Sequence, residues 1–484
     1  MGSLHGLGYS KQQYNQDVSK TIKHDSLMTA ADECGNRSWH LIRSHLFGNA
    51  VKSPIPSYRS TMAQTLFRWF YSFVLVLVIP FAFINLVRRG VLRTRDYNRR
   101  RFERFGFVAP PPATGGYLFH CVSVGEVVAA SCLIKKIMQQ EPNTQITVTT
   151  TTPTGSARVR AIFGNQVHHF YLPYDLHMAM AGMLRRVKPK AVLITEVELW
   201  PNLIHVCWRK CIPVMVINAR MTDRSARRYK KVGILFEPML GKLSHVCAQG
   251  QRDYDNYRFL GMPPDRLSLT NNIKFDQAAN AKPAAMPFMH LNNARPVLVA
   301  GSTHDPEEKV LLSVLHRLLP EFPDVLLILV PRHPERFAAV EKMLAEAGVH
   351  YVCSEAAGQV PAHCQVVLLN EMGRLNEAYQ VANIAFVGGS LADRGGHNAL
   401  EPAAVAVPVI MGPHTYNNPV ICAYLEQCGA LTLVNSDEDM ATLCRTWLTD
   451  PEVAKKAGLA GRQVLEDNRG ALQKTWNEIQ RICR

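Results

Sequence analysis

The sequence predicts an α/β protein made of two consecutive doubly wound halves, preceded by an N-terminal apolar helix that meets a membrane. Three observations carry this. Short apolar β-branched runs alternate with helical stretches along both halves of the chain. The alternation breaks between Gln277 and Pro296, where Ala, Pro, Asn and Met predominate without strong periodicity. Trp69 to Leu86 is apolar and uncharged. The 484 residues, 47% hydrophobic and 19% charged, suit about two to three globular domains. They exclude a disordered chain, a collagen and a disulfide miniprotein. Fifty-four Lys and Arg against thirty-nine Asp and Glu give a formal charge of +15, which points to an anionic partner: nucleic acid, an anionic membrane or a phosphorylated substrate. The twelve Cys contain no Cys-x-x-Cys pair and read as reduced, mostly core thiols; no metal site is predicted.

The run from Trp69 to Leu86 is just long enough to cross a bilayer as a helix. Arg88, Arg89, Arg93, Arg95, Arg99, Arg100, Arg101 and Arg104 follow it. Such a flank marks the cytoplasmic side of a span and is able to attract anionic lipid. A cleaved signal would show a small-residue site instead of Arg. A helix lying in the interface, or partly inserted around Pro80, is the stronger rival to a span. Residues 1–61 are polar, without sustained periodicity, and are expected to be a disordered extension; Met62 would make a natural start for an anchored protein.

Strands are expected in the first half at Tyr117–Val122, Gln145–Thr150, Val167–Tyr171, Ala191–Thr195, Pro213–Asn218 and Ser244–Ala248. The second half repeats the pattern at Pro296–Ala300, Val325–Val330, Val349–Cys353, Gln365–Leu369, Asn383–Val387 and Pro408–Met411. Doubly wound sheets bind ligands at their strand C-terminal ends, so two such halves facing each other place a ligand between them.

The loops after these strands hold the candidate chemistry. Ser123, Gly125 and Glu126 lie at a strand-to-helix turn with unpaired amides. Glu126 is either a general base or an acid favoured in the first helical turn by the dipole; as a base it needs burial to offset that dipole. Thr150 to Ser156 offers hydroxyls to an anion or, equally, a helix cap. Glu196 and Glu198 lie between an apolar strand and Trp200-Pro201, where a strand-end cleft would hold them. Arg220, followed by Arg224, Arg227 and Arg228, suits phosphate or a solvated helix face. Further on, Gly301 to His304 and Pro331 to Pro334 fill corresponding loops. The stretch Phe386 to Pro402 carries Gly388, Gly389, Gly395 and Gly396 before a helix expected to open near His397, so that bare amides meet a phosphate. Asn398 and Glu401 would share one helical face there, with Glu401 accepting from sugar hydroxyls. The spacing fits neither a P-loop nor a dinucleotide fingerprint.

Taken together, Phe102 to Gly106, His120 to Glu126, Glu196 to Pro201, Asn218 to Arg220, Lys274 to Asp276, Ser302 to His304, Pro331 to Pro334, Met372-Gly373, Gly388 to Pro402 and Gly412 to His414 resemble the Kdo (3-deoxy-D-manno-octulosonic acid) transferases of lipopolysaccharide synthesis. The resemblance implies the GT-B architecture: two Rossmann-like domains facing across a cleft, with an N-terminal membrane-anchor helix. It implies inverting transfer of Kdo from CMP-Kdo to a lipid A precursor (lipid IVA), without metal or other cofactor. By the same likeness Glu126 takes the proton from the acceptor hydroxyl. Ser302, Arg332, Met372, Gly373, Gly388, Gly389, Asn398, Glu401 and Lys274 would hold the donor, and Ser123, Gly125, Glu196, Glu198 and Arg220 the acceptor. The chain departs from the family at Asn271-Asn272, where a Gly usually precedes the Asn, and at Asn370-Glu371.

The expected organisation is therefore an extension at 1–61, an anchor and basic flank at 62–104, an acceptor-binding domain at 105–278, a linker at 279–295 and a nucleotide-sugar domain at 296–484, whose last helix crosses back. The expected setting is the bacterial inner membrane, with a single-pass or monotopic anchor and cytoplasmic catalytic domains. Two rival readings are a GT-B enzyme using a UDP-sugar and a non-catalytic protein of the membrane surface. No aromatic-interleaved basic platform appears, so nucleic acid is not an expected partner.

Overall fold

The computed structural model describes residues 55–92, 100–279, 295–356 and 360–483. The extension through residue 54, Arg93, Arg95 and Arg99 of the basic run, and residues 280–294 of the expected linker lie outside them.

Two parallel seven-stranded sheets carry the fold. The first comprises β1 (Tyr117–His120), β2 (Ile146–Thr150), β3 (His168–Tyr171), β4 (Ala191–Thr195), β5 (Val214–Ala219), β6 (His245–Ala248) and β7 (Leu267–Leu269), in the order β3-β2-β1-β4-β5-β6-β7. The second comprises β8 (Val297–Thr303), β9 (Leu326–Pro331), β10 (Tyr351–Cys353), β11 (Val366–Leu368), β12 (Ile384–Val387), β13 (Val409–Met411) and β14 (Leu431–Leu433), in the order β10-β11-β9-β8-β12-β13-β14. Most central strands are buried along their whole length, as expected where helices cover both faces of a parallel sheet. Each sheet therefore has cores on its two sides, for example Leu118, Val192 and Val216 on one face of the first and Phe119, Leu193 and Met215 on the other.

The strand order reverses between β1 and β4 in the first sheet, and between β8 and β12 in the second. At such a switch point the neighbouring crossovers leave toward opposite faces and open a crevice. The turns after β1, β4, β8 and β12 are among those singled out from sequence. Sequence patterning missed β7 and β14. Both are three-residue edge strands, half-exposed, with a polar residue between two Leu, too short to show a period.

The last helix, Ala471–Cys483, packs on the first sheet: Trp476, Ile479 and Ile482 join the core of Tyr117 and Phe119, with Trp476 edge-on to Tyr117. Asp276 fastens it there by accepting from the Gly470 and Leu472 amides, each at 2.7 Å.

A helix from Met62 to Leu92, with Pro80 inside it, is long and apolar enough to cross a membrane. One stripe of it is docked on the first half. Arg68 Nη1 donates to Asn202 Oδ1 (3.0 Å), Ser72 Oγ accepts from Asn202 Nδ2 (3.0 Å), Tyr71 Oη donates to Asp175 Oδ2 (3.2 Å), Ile79 is buried, and Phe83 meets Phe105 edge-on. These positions recur every three to four residues, one face of a helix. The remaining surface exposes Trp69, Phe70, Phe73, Leu77, Phe81 and Ile84.

Two arginines of the basic run are structural. Arg104 is buried, donates to the carbonyl of Thr151 (2.6 Å) and lies over the Tyr171 ring. Arg100 donates to the His169 carbonyl (3.1 Å) and Ser156 Oγ (2.7 Å). For these two, the expectation of a lipid-facing flank is corrected: both guanidiniums turn inward to satisfy carbonyls within β3 and just after β2.

Candidate functional site

The turn after β1 is a capped helix start. Ser123, extended at φ −113°, accepts from the Glu126 amide (3.4 Å) and donates to Glu126 Oε1 (3.0 Å); the Val122 amide donates to Oε2 (2.8 Å). This is a near relative of the capping box, and it fixes the carboxylate's place. Its chemistry comes from the surroundings. Glu126 is 8% exposed. Burial pushes its pKa up to about 7; Glu196 and Glu198 push the same way, against the hydrogen bonds from Val122 and Ser123. The compensation that a base at this position needed is thus present. Beside it Gly125 has open space where a side chain would stand, the nearest atom to a built Cβ being Ser123 Oγ at 3.9 Å.

Across the switch point, Glu196 directly follows β4 and is held at φ +63°, a left-handed conformation rare without Gly. Burial raises the pKa of Glu198, and Glu196 adds to that. Lys274 also senses Glu196 and Arg220, while burial lowers its pKa. The electrostatics therefore join Glu126, Glu196, Glu198, Lys274 and Arg220 in one cluster. Two of these reach the second half: Lys274 Nζ donates to Asn418 Oδ1 (2.8 Å), and Arg220 Nη2 to the Tyr416 carbonyl (3.4 Å). Asn418 Nδ2 in turn donates to the His397 carbonyl (3.4 Å). Arg224, Arg227 and Arg228 are solvent-exposed on the helix Asp223–Lys231.

The departure at residue 271 has a physical answer. Asn271 adopts φ +67°, a region that Gly enters freely and that Asn tolerates better than other side chains. Asn272 Oδ1 then accepts from the Lys274 amide (3.0 Å), and the buried Asn218 Oδ1 accepts from the Ile273 amide (3.1 Å). The segment from Lys274 to Asp276 divides its labour: Lys274 faces the cleft, Phe275 is core and Asp276 clips the returning helix.

In the second half, Ser302, next to last in β8, takes φ +57°, and a Cβ on Gly388 would stand 2.4 Å from the Ser302 carbonyl oxygen. That close approach requires glycine. The amides expected to meet a phosphate are occupied. Glu307, fully buried, accepts from His304 and Gly389 through Oε2 and from Ser390, Leu391 and Ala392 through Oε1, at 2.8–3.2 Å. The glycine-rich loop is thus an anion nest whose anion is the protein's own carboxylate, which corrects the expectation of bare amides. The helix also opens later than expected, at Leu400, and has only five residues. Asn398 and Glu401 do meet, Nδ2 to Oε1 at 3.2 Å, but through the loop before that helix instead of along its face. Burial raises the Glu401 pKa.

Sequence reasoning missed Glu307 and did not single out an imidazole pair. His304 Nε2 and His397 Nε2 lie 2.9 Å apart with near-parallel rings, and His333 stands edge-on to His304. Burial brings both His304 and His397 down to about 4, with Arg332 adding to the effect in each. Both are neutral at pH 7, so one donates and the other accepts. Arg332 is exposed beside them. Met372 (58% exposed) and Gly373 (φ +88°) form an exposed turn after β11, and no side-chain hydrogen bond among the described residues joins them to the rest.

The family model for 3-deoxy-D-manno-octulosonic-acid transferases matches residues 99–277, and that for group 1 glycosyl transferases matches residues 308–464. The chain is 39% identical over 421 residues to the 3-deoxy-D-manno-octulosonic acid transferase of Haemophilus influenzae, covering 84% of this chain and 97% of that one. It is 32% identical over 334 residues to the Bordetella pertussis protein of the same name, with 66% and 76% covered. Among solved structures, a glycosyltransferase from Rickettsia africae is 13% identical with a TM-score of 0.50, over 77% of this chain and all of that one, and shares its two-body α/β fold.

Proposed function

The chain belongs to the 3-deoxy-D-manno-octulosonic acid transferase family and is a glycosyltransferase of lipopolysaccharide synthesis; from that premise we propose that it takes Kdo from CMP-Kdo and that the acceptor is a lipid A precursor. Glu126 accepts the proton of the acceptor hydroxyl as its oxygen bonds to the anomeric carbon of Kdo. The bond from that carbon to the CMP phosphate oxygen breaks, the electron pair leaves with CMP, and the centre inverts. The observation that carries this reading is the buried Glu126 carboxylate, raised to about 7 at the first switch point, because a base is most effective with a pKa near the working pH.

Ser123, Gly125, Glu196, Glu198 and Arg220 are assigned to the acceptor, and Ser302, Arg332, Met372, Gly373, Gly388, Gly389, Asn398, Glu401 and Lys274 to CMP-Kdo. Since Glu307 fills the glycine-rich nest, the departing phosphate is assigned to the Arg332 and Lys274 cations and to the His304–His397 pair. Fixed donors aimed at developing charge are an effective stabiliser in a closed cleft.

We also assign the Met62–Leu92 helix to the plane of a membrane interface. Its docked stripe runs from Arg68 to Phe83, about 22 Å along the axis, so both ends rest on one globular body while the apolar face points away. This favours an attachment lying on the bilayer over a span.

Purified protein given CMP-Kdo and a lipid A precursor should release CMP and yield a Kdo-bearing lipid by mass spectrometry. A folded sample without turnover overturns the reading. Stabilisation in thermal melts by UDP and not by CMP would move the donor to a UDP-sugar.

A further inference from the structure

Where the Met62–Leu92 helix meets the first body, a cavity of about 20 Å³ opens between Gln64, Arg68, Pro201, His205, Pro238 and Lys242. Lys242 is 5% exposed. Among the described residues its ammonium makes no ion pair and no side-chain hydrogen bond, and it lies beside the Tyr58 and Trp208 rings, 5.3 and 5.5 Å from their centroids. Lys242 closes the helix Gly233–Lys242. The dipole there favours a cation, but an exposed ammonium would serve it as well, so burial is left without a reason. Arg68 is the second cation; it is bound to Asn202 Oδ1 and makes no ion pair among the described residues. The acid facing it, Asp175, has its oxygens taken by the Asn202 and Leu203 amides and Tyr71 Oη. Glu237 lies near Tyr58. The buried Nδ1 of His205 is without a partner.

Two cations and an unpaired ring nitrogen around one small opening call for an acceptor that carries charge. We propose that this pocket takes a phosphate oxygen of an anionic lipid headgroup. The volume admits one oxygen-sized group, so the phosphorus and its esters stay outside, at the level of the neighbouring helix turn. That turn carries Trp69, Phe70 and Phe73, all exposed, an apolar surface with an indole at its edge, as suits the headgroup boundary. Free phosphate offers the same oxygen but makes no use of that surface. The proposal rests on the in-plane attachment above and adds to it a residue-specific preference for anionic lipid.

The test uses the full-length protein with vesicles of phosphatidylcholine alone or mixed with phosphatidylglycerol, at fixed ionic strength. Lys242→Gln should lower affinity for the mixed vesicles about fivefold and leave binding to pure phosphatidylcholine unchanged, and Lys242→Arg should restore it. Lys242→Met, which keeps the aliphatic stem, gives the same readout if the Gln variant fails to fold. An equal loss on both vesicles, or no loss on the mixed ones, overturns the proposal. So does inorganic phosphate raising the melting temperature of wild type but not of Lys242→Gln while the vesicle affinities agree, which would make free phosphate the occupant. If wild type binds neither vesicle, the in-plane attachment itself fails.

Discussion

Glu126 and Glu307 hold equivalent posts in the two sheets. Each sits in the first turn of the helix that follows the first strand of its sheet, at a switch point, and each is buried. They differ in what their oxygens receive. Glu126 has one backbone amide and one hydroxyl, and two further carboxylates nearby raise its pKa. Glu307 has five amides. The difference teaches that position on a doubly wound fold does not make an acid reactive. Under-provision of donors does, because a carboxylate with spare acceptor capacity and raised pKa is ready to take a proton. One fixes a loop, and the other is left free to react.

The comparison breaks most sharply at Glu126. Glu126→Gln keeps the hydroxyl and amide partners of the cap but removes the base. Turnover should fall about 10³-fold, with CMP affinity from calorimetry unchanged. A near-normal rate would make Glu126 a structural acid like its counterpart. In wild type the acid limb of the rate profile should have its midpoint near pH 7, with activity rising as the carboxylate deprotonates. The stability sign is opposite. The folded pKa exceeds the usual 4.5, so wild type loses stability as pH rises from about 4.5 to 7, and Glu126→Gln should escape that loss in melts at pH 8.

At Glu307, Gln turns an amide toward backbone donors and leaves some of them unsatisfied. We expect about 3 kcal/mol less stability by denaturant unfolding and weaker CMP binding through the loosened loop. A variant as stable as wild type would show that the nest does not depend on the charge. Lys274→Met should lower kcat about tenfold, more than it raises the KM for CMP-Kdo, since a charge-assisted contact to the departing phosphate is lost. Glu196→Gln should have the smallest effect, moving the acid limb slightly to lower pH, because burial, the larger cause of the elevation at Glu126, remains.

How much of this was legible in the chain follows from distance along it. Ser123, Gly125 and Glu126 are contiguous, so their turn could be read directly, and the uninterrupted apolar strands gave both sheets apart from two short edges. Glu307 could not be read as a loop clamp: Glu-Glu at a helix start is ordinary, and four of its five donors lie more than 80 residues away. The opening of the 400–404 helix was misplaced because Gly395 and Gly396 take positive φ, which delays it to Leu400. The family likeness located Lys274, but only coordinates show that its neighbour Asp276 serves another purpose.

That neighbour governs the order in which the molecule can be completed. The Asp276 carboxylate waits for amides at Gly470 and Leu472, and the core around Tyr117 waits for Trp476. A ribosome makes the first sheet early and delivers its missing wall only after the second sheet. Until residues 471–483 are made, one flank of that sheet stays uncovered, so a nascent chain stalled before them should be trimmed by protease in the first half, far from the site of arrest.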